Sequence, residues 1–293
     1  MNNVIISPIF YMGNKKKLIN KGLINLFPSN IHRFIDLFSG SAIVAMNAKS
    51  EEFIINDINS NLYDLYTLFK TTDSQTIISH IQNRIDEYGL AKERTSHKTF
   101  EDDRVERYKA AYVKFRDFYN KSDRYILDFY TLMFYSFSQQ FRFNSKGEFN
   151  MPCGNDYFSD KNKDYIQNGC NFFGKHSVKI TNFDFRKLLI DRLSVDDFVY
   201  LDPPYFNTTA TYNENDGWTE KDESDLLFLC EELNEKGIKW GMSNVFHCKG
   251  KHNEHLIKWC EDKNWNIYTF DKITYTACGK GNSNATEVFI TNY

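Results

Sequence analysis

No run of about twenty consecutive apolar residues occurs in the 293-residue chain, so the sequence offers no membrane-spanning helix. The opening Met1–Ile9 lacks a charged stretch leading into an apolar core. It does not read as a secretory signal, and a cytoplasmic location is the expectation. Six cysteines are present, none in a C-x-x-C pair. His247, His252 and His255 lie near Cys248, yet no cysteine pair completes a finger pattern, so neither a metal site nor a disulfide framework is expected. Prolines number only five, and there is no Gly/Ser-rich linker, internal repeat or low-complexity segment. Domain boundaries must therefore be read from hydrophobic pattern. An excess of positive charge is also missing: the net charge is −3, whereas duplex affinity comes largely from phosphate neutralisation. Distribution outweighs the sum, however, and basic residues gather at Lys15–Lys17, along Lys92–Arg104, and at Arg142 and Lys146.

What is present is the pattern of a globular α/β protein. Arg33–Leu37 is a short apolar run ending at Ser39-Gly40. It reads as a buried parallel strand that turns sharply into a helix starting near Ser41. Phe53–Asn56 reads as a second strand, closed by Asp57, with a helix from about Ser60 and Asn59 or Ser60 as its cap. This βαβ grammar predicts a doubly wound sheet. Between about Asn61 and Asp123 helical periodicity takes over. Tyr125–Gln140, dense in aromatics, reads as a buried helix rather than a ligand-lining stripe. Strand-like runs return at Val178–Thr181, Phe198–Leu201, Ile238–Met242, Trp265–Phe270 and Val288–Thr291. Helices are predicted at Glu220–Lys236 and His252–Lys263. The expectation is an α/β domain built from residues 1–59 and 176–293, with residues 60–175 inserted as a mainly helical lobe.

The sharpest local signal is Asp202-Pro203-Pro204-Tyr205, directly after an apolar strand. In open α/β sheets ligands bind at the carboxyl ends of strands. The proline pair fixes φ and biases Asp202 away from the helical region, so the turn is rigid and extended. It can aim a carboxylate, a backbone carbonyl and an aromatic ring at one spot. Those groups suit an exocyclic amine on an aromatic ring. Hydrogen bonds from its N–H groups to Asp202 and the Pro203 carbonyl would favour a pyramidal nitrogen, whose lone pair could attack a sulfonium methyl in line. Tyr205 would stack on the base, as expected for a nucleotide swung out of a duplex. Three weaker signals accompany it. Phe38-Ser39-Gly40-Ser41-Ala42 puts small residues where backbone can approach a ligand, though it is not a G-x-G-x-x-G phosphate loop. Asp57 ends the second strand, where an acid can accept from ribose hydroxyls or simply form an Asx turn. Tyr11-Met12-Gly13-Asn14-Lys15 could cover a methionine moiety and its carboxylate, or be a frayed arm with solvated lysines.

Together these pieces resemble the Dam-type N6-adenine DNA methyltransferases. Tyr11–Lys15 is similar to that family's aromatic-x-Gly-Gly-Lys motif at four of five positions. Asp36–Ala42 and Asp57-Ile58-Asn59 resemble its two cofactor motifs, and Asp202–Tyr205 its catalytic turn. Arg142-Phe143-Asn144-Ser145-Lys146-Gly147-Glu148-Phe149-Asn150-Met151-Pro152-Cys153-Gly154 looks like its R-x-N-x-x-G-x-F-N-x-P-x-G hairpin, which enters the major groove. Asn182–Phe185, Gly241–Asn244 and Glu287–Tyr293 resemble further family segments, so the likeness spans nearly the whole chain.

The resemblance implies a Rossmann-like methyltransferase sheet using S-adenosyl-methionine, with an inserted target-recognition domain that carries a β-hairpin and binds double-stranded DNA. It implies cofactor contacts at Tyr11, Gly13, Lys15, Phe38, Gly40, Asp57, Asp184, Phe185 and Asp202, catalysis at Asp202, Pro203, Pro204 and Tyr205, and DNA contacts at Arg142, Phe143, Asn144 and Lys146. A cognate restriction endonuclease is a partner this family can have. Two positions depart from the family pattern: Asn14 stands where a glycine is usual, and Ala42 where a third small glycine is common.

Three alternatives share some of these features. Cytosine-C5 transfer uses a cysteine after proline as nucleophile, and Pro152-Cys153 has that order. Cys153 closes the hairpin pattern, however, and does not follow a sheet strand. Transfer to cytosine N4, RNA adenine or a protein glutamine shares the Asp-Pro-Pro-aromatic turn, but the hairpin favours duplex DNA. A DNA-binding module without turnover would not need the intact Asp202–Tyr205.

Overall fold

A computed structural model of the chain describes residues 4–95, 102–205, 217–248, 251–273 and 285–293. Five strands pair in parallel: β1 (Arg33–Asp36), β2 (Glu52–Asn56), β3 (Ser177–Thr181), β4 (Asp197–Leu201) and β5 (Lys239–Cys248). The two-residue β6 (Lys251–His252) pairs only with the end of β5. β7 (Asn266–Ile273) and β8 (Ala285–Thr291) complete an eight-stranded sheet of order β3-β2-β1-β4-β5-β8-β7. β8 runs antiparallel to both its neighbours. This mixed, doubly wound sheet is the Rossmann-like methyltransferase architecture that the βαβ grammar and the family resemblance imply.

The central strand β4 is buried on both faces along its whole length, whereas the edge strand β3 exposes Ser177 and Lys179. One face presents Phe34, Phe198, Tyr200 and Phe289. All four surround Phe27, with ring centroids 5.1–5.7 Å away. The opposite face presents Ile35, Val199, Leu201, Trp240, Met242, Val288 and Ile290. These pack on Leu226, Leu229, Cys230 and Leu233 and on Leu256, Trp259 and Cys260. That second group comes from two helices, Glu220–Glu235 and Glu254–Lys263.

In chain order the helices are α1 (Lys16–Asn20), α2 (Ser60–Thr71), α3 (Ser74–Tyr88), α4 (Asp102–Lys121), α5 (Ile126–Tyr135), α6 (Asp160–Lys175), α7 (Glu220–Glu235) and α8 (Glu254–Lys263). By packing, Lys15–Ser60 and Ser177–Tyr293 form one unit, and Ile5–Asn14 and Asn61–His176 form a second. In the second, Asp128 is a buried tie. Its carboxylate accepts from His80 Nε2 (2.7 Å) and from Arg84 Nε (2.7 Å) and Nη2 (3.2 Å), which locks α3 to α5. Tyr66, Phe69, Tyr130 and Phe173 form an aromatic core in the same unit.

Three sequence expectations need correction. No α-helix starts near Ser41; the segment holds only a three-residue 3-10 turn at Ala45–Asn47. Gly40 (φ 50°) and Ala42 (φ 58°) both take left-handed backbone, which a right-handed helix cannot incorporate. The aromatic helix spans Ile126–Tyr135 rather than Tyr125–Gln140, and Tyr125 and Phe137, just outside it, stand exposed. The last helix begins at Glu254 rather than His252, because Asn253 caps it by accepting from the Leu256 amide at 3.2 Å.

Gly241 shows how closely the sheet is packed. A methyl group added there would overlap the buried Phe289 ring on the adjacent strand and press on Phe198. Gly241→Ala should destabilise the fold by about 1–3 kcal/mol through overpacking, read from the denaturant midpoint at unchanged m-value.

Candidate active site

β1 and β4 are neighbours, but the chain leaves them in opposite directions across the sheet, towards β2 and β3 on one side and β5 on the other. Such a switch point leaves a crevice outside the carboxyl ends of the strands. Those ends carry Leu37–Ser41 after β1, Asp57 after β2 and Asp202–Tyr205 after β4.

Backbone geometry holds the first two loops together. Gly40 donates its amide to Asp57 Oδ2 (2.9 Å), and Asn59 donates to Oδ1 (2.9 Å). Asp57 is thus both an Asx turn and an anchor for the β1 loop. Burial pushes its carboxyl up to about 6, against the pull of those two amides. Beneath it lies Asn56, 1% exposed, a residue to which the sequence reading assigned no role. Its Nδ2 donates to the carbonyls of Leu37 and Phe183 (both 3.0 Å), and its Oδ1 accepts from the Phe183 amide (3.1 Å) and Thr181 Oγ1 (3.0 Å). One amide side chain therefore staples the loops after β1 and β3 to the end of β2. Neighbouring polar residues in a strand end gave no signal of this in sequence, since the partners lie 19 and 127 positions away.

The third corner is electrostatic. Lys15, only 4% exposed, places Nζ 2.7 Å from Asp202 Oδ2 and 5.1 Å from the centroid of the Tyr205 ring. The Tyr205 hydroxyl reaches towards Asp202 Oδ1 at 3.5 Å. Burial raises the Asp202 carboxyl above its usual range, while Lys15 and Tyr205 pull it back. Asp36, 1% exposed, has no well-formed hydrogen bond at either carboxylate oxygen, although Ser39 and the Ala45 backbone lie close. Burial, with the charges of Asp202 and Asp57, drives its carboxyl well upward. Glu287 of β8 is fully buried, with no hydrogen-bond partner at either oxygen among the described residues. Burial pushes it up to about 7, against Lys15, Lys21 and Lys17, with Asp202 adding to the rise. Glu287 was read from sequence only as part of a terminal strand.

Phe38 and Phe185 pack together at 5.4 Å between centroids, and Asp184 caps the turn that carries Phe185 by accepting from the Arg186 amide (2.9 Å). The N-terminal motif is divided. Lys15 belongs to the sheet unit, whereas Tyr11 and Gly13 belong to the helical unit, where Tyr11 packs on Phe141 at 5.9 Å.

In the helical unit, Arg142–Gly154 folds back on itself as a hairpin held by isolated bridges rather than a continuous ladder. The four residues singled out there differ in what they have left to offer. Asn144 is committed to the turn: it donates to Glu148 Oε2 (2.8 Å) and accepts the amides of Lys146 (2.9 Å) and Glu148 (3.0 Å). Phe143 is half-buried against Phe129 and Phe149. Arg142 bonds across to Asn150 through Nε at 2.8 Å yet stays exposed, and Lys146 is exposed. Asn120 clamps the returning strand through both the amide and the carbonyl of Phe149, at 2.8 and 3.0 Å. Cys153 sits here, its thiol pushed up to about 11 by burial, which leaves it protonated and a poor nucleophile at neutral pH. Among the described residues no group of three or more His, Cys, Asp or Glu could hold a metal ion, and no helix is long and apolar enough to cross a membrane.

Comparison with known proteins adds an independent line. Residues 11–274 match the D12 class N6 adenine-specific DNA methyltransferases. Over 299 residues the chain is 35% identical to modification methylase StsI of Streptococcus sanguinis, covering 99% of this chain and 43% of that protein. Type II methyltransferase M.FokI of Planomicrobium okeanokoites is 36% identical over 299 residues, covering 100% of this chain and 43% of that protein. The chain therefore spans less than half the length of these curated relatives. Type II methyltransferase M1.LlaDCHI of Lactococcus lactis subsp. cremoris is 26% identical over 294 residues, 97% of this chain and 94% of that protein.

The unpartnered Glu287 generates a testable pH dependence. A carboxyl whose value is raised on folding contributes stability that is present below its unfolded value and is lost as pH rises through the folded value. For Glu287 that window runs from its ordinary value of 4.5 up to about 7. Glu287→Gln cannot titrate, so between pH 5 and pH 8 its unfolding free energy should gain about 2–3 kcal/mol on the wild type. Parallel denaturation curves would show this, and a constant difference across that range would contradict it.

Proposed function

This chain belongs to the D12 class N6 adenine-specific DNA methyltransferase family, and from that premise we propose that it transfers a methyl group from S-adenosyl-methionine to N6 of adenine at specific sites in duplex DNA. The observation that carries the reading is the Lys15-tethered Asp202 on a proline-stiffened turn at the switch point of the sheet. Family membership implies a methyl donor and DNA as the substrate. The identity of the donor and the residue roles below are our reading.

The residues present suit S-adenosyl-methionine in kind. Asp57, with one amide on each oxygen, keeps lone pairs for ribose hydroxyls. Phe38 and Phe185 supply apolar rings for the purine, and Asp184 a polar edge beside them. Gly40 lets backbone come close. Lys15 completes the donor set on the sheet unit, and Tyr11 and Gly13 are assigned to the donor by the family motif alone. When bound, the donor supplies an electrophilic methyl on a sulfonium centre.

In this reading Asp202 and the Pro203 carbonyl accept the two N6–H bonds of an extruded adenine, and Tyr205 stacks on the base. Pro203 and Pro204 hold those acceptors in place before the substrate arrives, so catalysis rests on positioning and electrostatics rather than a covalent adduct. Lys15 favours the ionised form of Asp202, which must accept hydrogen bonds and share the proton that the nitrogen releases. The protonated Cys153 thiol offers nothing to a covalent alternative.

Residues 60–175 would form the target-recognition domain, and residues 1–59 with 176–293 the catalytic domain. Of the hairpin residues, Arg142 and Lys146 are the exposed cations that would meet phosphates or base edges. Asn144 and Phe143 shape the loop that presents them. The curated relatives carry modification-methylase names, and a cognate restriction endonuclease is the partner this reading expects.

Asp202→Ala should abolish most methyl transfer to synthetic duplexes, by about a hundredfold or more, while donor binding falls less. Near-normal turnover would remove Asp202 from the chemistry. Lys146→Ala should weaken DNA binding and reduce the slope of log affinity against log salt by about one; an unchanged slope would take Lys146 off the phosphate backbone.

A further inference from the structure

One aromatic residue at the crevice was not anticipated. Trp218, half-buried, stands edge-on to Phe38 (centroids 6.0 Å, 76° between planes) and tilts against Phe185 (5.7 Å, 39°). Phe38 and Phe185 themselves pack at 5.4 Å, so the three rings form one corner. Phe38 and Trp218 each keep part of their surface open, while Phe185 is buried behind them.

The indole is held there by unusual means. Trp218 immediately precedes Thr219, the N-cap of α7, whose capping box with Asp222 fixes how the chain enters the helix. An apolar residue in that place commonly packs on the residue five positions later, inside the first turns. Here that residue is Glu223, a carboxylate 1% exposed. It accepts the Trp218 indole N–H at 2.7 Å through one oxygen and Asn253 Nδ2 at 3.1 Å through the other. Asn253 is in turn the cap of α8. A buried acid costs stability unless its bonds are well made, and this one serves to fasten a partly exposed ring from two helices. Helix packing alone would be met by an apolar residue at position 223.

We propose that Trp218 is the third wall of the donor's purine pocket, and that Glu223 is a positioning residue that fixes the plane of its indole. The inference rests on the donor reading above and deepens it, because neither Trp218 nor Glu223 belongs to the motifs that suggested the pocket.

The other three tryptophans make the test clean. Trp240, Trp259 and Trp265 ring one another with centroids 5.2–5.9 Å apart and make no ring contact with Phe38 or Phe185 among the described residues, so emission linked to Trp218 is the part that Trp218→Phe removes. S-adenosyl-homocysteine, the unreactive product form of the donor, is titrated into the full chain by calorimetry and by tryptophan emission. Wild type should bind with a saturable emission change. Trp218→Phe, which keeps a ring, should bind with that change lost. Trp218→Ala should bind about two- to tenfold more weakly, the range expected for one aromatic contact. Glu223→Gln, which retains an acceptor for the indole, should restore the wild-type response that Glu223→Ala loses. Calorimetric binding by wild type with no emission change, or with the change intact in Trp218→Phe, would overturn the proposal and leave the donor reading standing. No binding by wild type at all would overturn both.

Discussion

A lysine ammonium 2.7 Å from a carboxylate, both drawn out of water at the carboxyl end of a parallel sheet, is the constraint around which the site is organised. A buried aspartate alone would take up a proton and become a poor acceptor for an amine. Lys15 offsets that tendency, and it can do so because it is itself buried and has little freedom to leave. The two prolines after Asp202 do the same for geometry that Lys15 does for charge. Removing either would leave an acid whose protonation or direction was no longer set.

The surrounding carboxylates give this pair its context. Asp36, Asp57 and Glu287 are all buried, and burial raises each above its usual range. Such a concentration of acid costs stability. It is held by the paired strands beneath and by Asn56, whose single side chain fastens the loops after β1 and β3 to the end of β2. Left-handed backbone at Gly40 and Ala42 adds to the cost and replaces the expected helix with a tight turn. Strain and buried charge of this kind concentrate where a fold serves chemistry rather than its own stability.

The helical unit meets a different demand. Its hairpin has few ladder bonds, so its shape comes from side chains: Asn144 inside the turn, Asn120 clamping Phe149, and Phe143 set on the aromatic core. The residues with the most specific appearance in the motif are therefore partly structural, and the exposed Arg142 and Lys146 are left to meet a partner. A net charge of −3 is compatible with this division, because a few basic groups on one loop decide local potential.

The sequence by itself determined the order of strands and helices, apart from the helix that does not form after β1, the acid at the end of β4 and the family to which these motifs point. Each of those is written in consecutive residues: apolar runs of strand length, proline pairs, and glycines at turns. The positions of Asp57 and Asp202 at strand ends were legible for the same reason. Only the tertiary structure decided that Lys15 spends its charge on Asp202, that Asn56 ties two loops to the end of β2, that Glu287 lies buried without a hydrogen-bond partner among the described residues, and that Trp218 joins Phe38 and Phe185. Those relations link residues 19 to 187 positions apart, and no local pattern encodes which distant strand end a side chain will meet. That is settled by the register of parallel strands and by the order in which the sheet places them, which is a property of the packed core rather than of any segment.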